Sequence, residues 1–282
     1  MTDLYELTDR CLLAISGPDR YDYLNNIVTQ NCSSEHIQSI SAGALLTPQG
    51  KLLDEFLIWH VGDEIILDCA AARGDDLVQK LTLYRLRSRV EIARRPGHPW
   101  ASLERPIGPA DPRHVGLGFR SLVPPEGAKE TAPLAQWHRH RLSLGIAEGP
   151  SEMPPGAEFP LEFALDRTRA IDFHKGCFIG QEVTSRSYRR GSRRKAIFPA
   201  EIEEGALPAP IEKGALRAPS ERTPVKDLSG RRVGDVVVTH GSLSLVLLRL
   251  DADHTSLCLD NGTPVNIRPG LVERDDPSTV SI

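Results

Sequence analysis

The stretch "HKGCFIGQE" at 174–182 holds the side chains best suited to chemistry: Cys177, with Lys175 two residues before it and glycines at 176 and 180. A thiolate is the nucleophilic and metal-ligating form of cysteine, and a nearby cation favours it. Lys175 is therefore expected to hold the Cys177 sulfur partly as thiolate. Glycine allows tight turns and close approach, so Gly176 and Gly180 are expected to admit a cofactor or a partner. Gln181 and Glu182 are expected to brace the turn, with Glu182 near a helix N-terminus, where negative charge is favoured. His174 lies three residues before Cys177. Two ligands do not make a metal site, so any metal there needs further ligands from a partner.

Other candidates carry less. The run "SRSYRRGSRRKA" brings together Arg186, Arg189, Arg190, Arg193, Arg194 and Lys195. It reads either as a solvated basic segment or as an anion site for RNA phosphates or a cofactor's carboxylate tail. On a protein of net charge −4, a local anionic ligand fits better than a long polyanion. His138 and His140 are two apart, which on a helix points them to different faces, and solvent-facing histidines are expected. "VGLGFRS" lacks the third glycine and the preceding strand of a dinucleotide loop. Cys11, Cys69 and Cys258 sit in apolar, strand-like runs and read as buried packing residues. Five scattered cysteines without a C-x-x-C pair support neither a disulfide framework nor a self-contained metal site.

The elements that must position Cys177 follow from hydrophobic period and turn residues. "CLLAISG" reads as a buried strand, and Tyr21, Leu24, Ile27 and Val28 as the face of a helix. Strands then flank Pro48-Gln49-Gly50 and Gly62-Asp63, followed by a helix through Leu77, Leu81 and Tyr84 and a strand "RVEIARR". That order points to an α+β layer. Residues 106–133, rich in Pro and Gly, read as a connection or small module, and "LAQWHRHRLSLGIAEG" as a helix. "PSEMPPGAEFPLE" is a loop long enough to have its own function, and a further helix is expected to start near Gly180. From about 196 onward, short apolar runs between turns point to a small β-barrel or sandwich. There "EEGALPAP" and "EKGALRAP" nearly repeat, which two copies do not make a repeat architecture. Hydrophobic residues at 40% and charged residues at 26% are ordinary for a globular protein. No apolar run approaches a membrane span, and "MTDLYELTDR" has no apolar core of a signal peptide, so a cytoplasmic location is expected.

"KGCFIGQEVTSR" resembles the K-G-C-[FY]-x-G-Q-E signature of the YgfZ family, folate-binding relatives of the glycine-cleavage T-protein. "ISGPDRYDYLNNIVTQN", "LLTPQGKLLDEFLI", "LYRLRSRVEI" and "RLSLGIAEG" are similar to further segments of that family, and "GRRVGDVVVT" resembles its barrel in outline. The resemblance implies an α+β, T-protein-like fold of three modules about a central channel, with a C-terminal β-barrel. The modules are expected at 1–50 with 134–195, at 51–133 and at 196–282. It further implies a tetrahydrofolate site, with Asp54 near the pterin, Arg141 available to an anionic or carbonyl group, and Gly176, Gly180, Gln181 and Glu182 close by. Bacterial members are often called tRNA-modifying protein, which is expected to reflect help given to iron–sulfur enzymes that modify tRNA; mitochondrial members act late in iron–sulfur cluster assembly. The favoured expectation is thus a folate-binding assembly or repair factor. In it Cys177 ligates a [2Fe–2S] cluster shared with an A-type carrier, and client iron–sulfur enzymes receive the cluster. The alternative is an aminomethyltransferase-like one-carbon transferase using Asp54. Direct binding of nucleic acid is the weakest expectation, and none of a membrane is implied.

Overall fold

The structure is a computed structural model, and it describes residues 3–126, 128, 130–207 and 222–271. The chain opens with a short strand β1 (Leu4–Glu6) and enters β2 (Arg10–Ser16), which stops at Gly17-Pro18. Helix α1 (Arg20–Asn25) is one and a half turns long. The expected apolar face continues past it, but Val28 leaves the helix to bridge Leu45. Strands β3 (Ile40–Leu46), β4 (Leu52–Val61) and β5 (Glu64–Ala70) then meander through the two turns read from the sequence. Helix α2 (Gly74–Arg85) starts with Asp75 and Asp76 at its positive end and turns Leu77 and Leu81 inward. Strand β6 (Glu91–Arg95) completes an antiparallel sheet of order β3-β4-β5-β2-β6.

Alternation along β2 gives this sheet two buried faces. Cys11, Leu13 and Ile15 pack with Leu24, Leu67, Leu77 and Leu81 under the helices. Leu12, with Ala42, Leu57 and Ile66, joins a larger core that continues into Phe163, Ile171, Phe178 and the C-terminal strands. Along β2, β3 and β5 little is left for water, which is why these strands read as near-continuous apolar runs.

A second, three-stranded sheet has no counterpart in the sequence pattern. Strands β7 (Trp100–Ser102) and β8 (Phe119–Ser121) pair with β1 in the order β1-β7-β8. Helix α3 (Leu134–Ser143) covers it through Trp137, against Tyr5, Leu7, Ala101 and Leu117. Much of what read as a connection is therefore structural. The module limits expected at 50/51 and 133/134 need correction for the same reason. β3 and β4 form one hairpin across residue 50, and α3 shares its core with residues before 133. The Thr29 hydroxyl donates to the Ala170 carbonyl at 2.6 Å, tying the segment before Cys177 to the loop after α1.

Helix α4 (Gly149–Glu152) and helix α5 (Gln181–Arg189) precede the last unit. Strands β9 (Lys195–Ile202), β10 (Thr223–Asp227), β11 (Arg232–His240), β12 (Leu243–Arg249), β13 (Leu257–Cys258) and β14 (Pro264–Ile267) close into a barrel. Closure pairs every strand edge, so a unit this small needs no covering layer. The first of the two similar turn segments, through Leu207, is described, whereas "EKGALRAP" lies outside the described residues. No helix among the described residues is long and apolar enough to cross a membrane.

Candidate functional site

Cys177 sits on an irregular turn that is fixed from below. Its two neighbours in the motif point inward: Lys175 is 8% exposed and Phe178 is 6% exposed. The Lys175 ammonium donates to the carbonyls of Asn25 at 2.6 Å, Val28 at 2.8 Å and Gln30 at 2.8 Å. Burial pushes its pKa down to about 8, against the opposing influence of Cys32 and Asp172. The ammonium also lies 5.4 Å from the centre of the Phe178 ring. Lys175 therefore staples the turn to the loop after α1. This corrects the expected role for it, because an ammonium committed to three buried carbonyls does not serve the thiol.

Between these anchors Cys177 is exposed. Gly176 is exposed too, and a Cβ placed on it would meet nothing within 4 Å. The Gln181 side chain donates to the Gly176 carbonyl at 3.3 Å. Glu182 lies in the first turn of α5 and pairs with Arg186 at 2.6 Å, out in solvent. Gly180 has a different role from the one expected. It caps α5 at φ +81, and a Cβ there would stand 2.6 Å from the Thr47 carbonyl oxygen and 3.0 Å from the Cα of Gly50. What approaches Gly180 is the chain's own β3–β4 turn. His174 is exposed, its backbone N–H bound to Asp172 at 2.8 Å. Among the described residues no group of three or more His, Cys, Asp or Glu side chains could hold a metal ion.

Asp54 lines only a small void, and Arg141 is buried. Asp54 is bound by the Arg73 guanidinium, with Nε–Oδ1 at 2.8 Å and Nη2–Oδ2 at 3.3 Å. Burial raises its pKa despite that arginine. The adjoining void, walled by Leu53, Ala70, Gly149 and Met153, measures about 10 Å³. A second one, beside Phe56 and Arg113, measures about 20 Å³. Small-molecule sites run to hundreds of cubic ångströms, so the residues around Asp54, as arranged, do not fit a pterin. Arg141, 1% exposed, is consumed by Glu152, by the Ile146 carbonyl at 2.9 Å and by His138 Nδ1 at 3.1 Å.

Arg141 belongs to a buried network that local spacing could not announce. Arg10 pairs with Asp68, Asp68 with Arg120 at 2.6 Å, Arg113 with Asp111 at 2.8 Å and with Glu148, and Glu148 with Arg141 at 3.3 Å. Burial pushes the Glu148 carboxyl up, but Arg113, Arg141 and Arg10 together hold it well below the usual range. Glu152 is raised instead, burial there outweighing Arg141. His138, expected in solvent, is 6% exposed and reaches Asp9 at 3.2 Å, because α3 turns it toward this network. Cys11, Cys32 and Cys69 are buried as packing residues, and Cys258 is half-buried.

The basic run lines one wall of a cleft of about 450 Å³, between α5 with its continuation and the segment from Phe159 to Glu162. The proline-rich loop singled out for its length ends in the opposite wall.

No family model matches the chain. It is 30% identical over 232 residues to the mitochondrial iron–sulfur cluster assembly factor IBA57 homologue of Neurospora crassa, covering 70% of this chain and 53% of that protein. It is 29% identical over 282 residues to the human mitochondrial iron–sulfur cluster assembly factor IBA57, covering 86% of this chain and 76% of that one. The chain thus spans about half the length of the first fungal relatives it matches, 53% to 56%. Glycine cleavage system aminomethyltransferase T of Bartonella henselae matches in structure with a TM-score of 0.70 and 14% identity, over 96% of this chain and 86% of that one. The cytoplasmic expectation is overturned, since these relatives are named as mitochondrial. The chain is homologous to the iron–sulfur cluster assembly factors named IBA57, and it carries that likeness on an aminomethyltransferase-type fold with a closed C-terminal barrel.

Proposed function

We propose that the chain assists iron–sulfur cluster assembly by lending the Cys177 sulfur as one ligand to a [2Fe–2S] cluster that a partner carries. The observation behind this reading is the turn itself: an exposed thiol between two residues, Lys175 and Phe178, that are driven into the fold. The named role of the homologues agrees with it. The cluster is cargo, and its remaining ligands come from the carrier, for which an A-type iron–sulfur carrier is the suited class. On binding, the thiol releases its proton to solvent and the sulfur gives an electron pair to iron, displacing a weaker ligand. The turn contributes position, because three hydrogen bonds at Lys175 and the packing at Gly180 fix both sides of Cys177. The one-carbon transferase reading gains nothing from an Asp54 already bound by Arg73.

The test is anaerobic mixing with a [2Fe–2S]-loaded A-type carrier, followed by gel filtration and visible absorption. The wild type should give a coloured complex. Cys177→Ala should give none while keeping its fold, and Cys258→Ala should behave as wild type. A coloured complex of undiminished yield from Cys177→Ala would remove the thiol from this role.

A further inference from the structure

The cleft beside α5 combines charge, spacing and an apolar wall in a way the cluster-binding turn does not use. Arg186 and Arg190 stand one helical turn apart, and Arg193 and Arg194 follow where the chain leaves α5 toward β9. Ser187 and Ser192 add hydroxyls to the same wall. Facing them are Phe159, Pro160 and Leu161, and Val183 contributes from α5. Phe159 and Val183 are 39% and 40% exposed, which is apolar surface open to a ligand. Arg193 donates to the Leu161 carbonyl at 3.3 Å and so ties the two walls together.

Part of this charge is open to a ligand. Among the described residues neither Arg190 nor Arg194 makes an ion pair, and Arg186 holds only the solvent-exposed Glu182. An exposed pair of that kind contributes little and is readily exchanged. Glu162 is the one carboxyl in the lining. Burial and the neighbouring Glu158 raise its pKa, against Lys195 and Lys51.

Spacing then selects the ligand. Residues four apart on a helix rise about 6 Å along its axis. Alternate residues of an extended peptide lie about 6.6 Å apart on one face, with the intervening side chains on the other. A strand with acidic residues at alternate positions therefore meets Arg186 and Arg190 in register and turns its other face to Phe159 and Leu161. Arginine forks suit carboxylates by geometry as well as charge. We propose that this cleft receives an extended, acidic peptide segment of a protein partner, with carboxylates alternating with apolar side chains. Gly180 caps the opposite end of α5, so Arg186 and Arg190 hold the segment roughly 9–15 Å along the helix from its start beside the Cys177 turn. The inference rests on the reading that a protein partner meets that turn, and it names how the partner is held.

The experiment keeps the two apart by leaving the cluster out. A fluorescein-labelled peptide of alternating Glu and Val is titrated into metal-free protein and followed by anisotropy, with Cys177→Ala as a second host. Both hosts should bind it, and with an affinity that falls as salt rises. A peptide with Gln for Glu, and one of the same composition with its Glu residues in a block, should bind at least about tenfold more weakly. Arg190→Ala with Arg194→Ala should weaken binding by a similar factor at unchanged melting temperature, and the Lys pair should recover part of it. Equal binding of the alternating and blocked peptides overturns the proposal, as does a double variant that binds like wild type. Tighter binding of a single-stranded oligonucleotide of equal charge also overturns it and makes the cleft a nucleic-acid site. Failure here leaves the Cys177 complex to stand or fall on its own test.

Discussion

At the scale of single residues, the motif divides its labour between a side chain that works outward and one that works inward. Cys177 reaches solvent, and Lys175 spends its three N–H donors on Asn25, Val28 and Gln30. Lys175→Met should strand those carbonyls and cost about 1–3 kcal/mol in urea unfolding near pH 7. The pH dependence has a definite sign. A lysine held at about 8 in the fold releases its proton there, whereas the unfolded chain keeps it until about 10.5. Between those values the unfolded state binds more protons, so this group makes the wild type more stable as pH rises, at most by about 1.4 kcal/mol per unit. Below pH 8 it adds no slope. The stability difference between wild type and Lys175→Met should therefore be flat up to about 8 and widen above it. A difference that narrows over that range would mean the ammonium is stabilised, not strained, by its burial.

Elements explain how such a turn stays put. Helix α5 can begin where it does because Gly180 takes a left-handed conformation and the Thr47–Gly50 turn packs on its Cα. Gly180→Ala meets both a backbone conformation that a Cβ disfavours and a carbonyl oxygen 2.6 Å away. It should lose about 2–4 kcal/mol, or displace the β3–β4 turn. Gly176→Ala, with open space around it, should stay within about 0.5 kcal/mol of wild type in the same urea series. Equal stability of the two variants would show that the turn does not rest on α5. Elements of this kind were largely legible in the sequence: the start of α5, the hairpin at Pro48-Gln49-Gly50 and the closing barrel all carry their period and their turn residues locally. Strands β7 and β8 were not, because three residues show no alternation, and β1 lies about a hundred positions from its partner. The spacing of Val28 fits a helix, and a long-range bridge to Leu45 decides otherwise.

In the whole molecule, the same limit accounts for Arg141. Its partners Glu148 and Glu152 follow within eleven residues, but what makes them buried is the meeting of two sheets, through Arg10, Asp68 and Arg120. Those residues pair across separations of 58 and 52 positions, where no local pattern reaches. The resemblance to folate-binding proteins placed Arg141 at a ligand, and the fold encloses it among carboxylates instead. These two roles predict opposite behaviour on mutation. Arg141→Ala removes one partner of a buried pair and leaves Glu152 and Glu148 partly uncompensated, a change that typically costs about 3–5 kcal/mol. The melting temperature should fall by several degrees. Replacing the pair together, Arg141→Met with Glu152→Leu, should recover a good part of that loss, since the stranded charge goes with its partner. Tetrahydrofolate titrated calorimetrically into the wild type and into the double variant supplies the other half of the comparison. The double variant should differ from the wild type in stability alone. If Arg141→Ala melts like the wild type but abolishes a folate heat that the wild type shows, Arg141 is a ligand residue and the buried network holds without it.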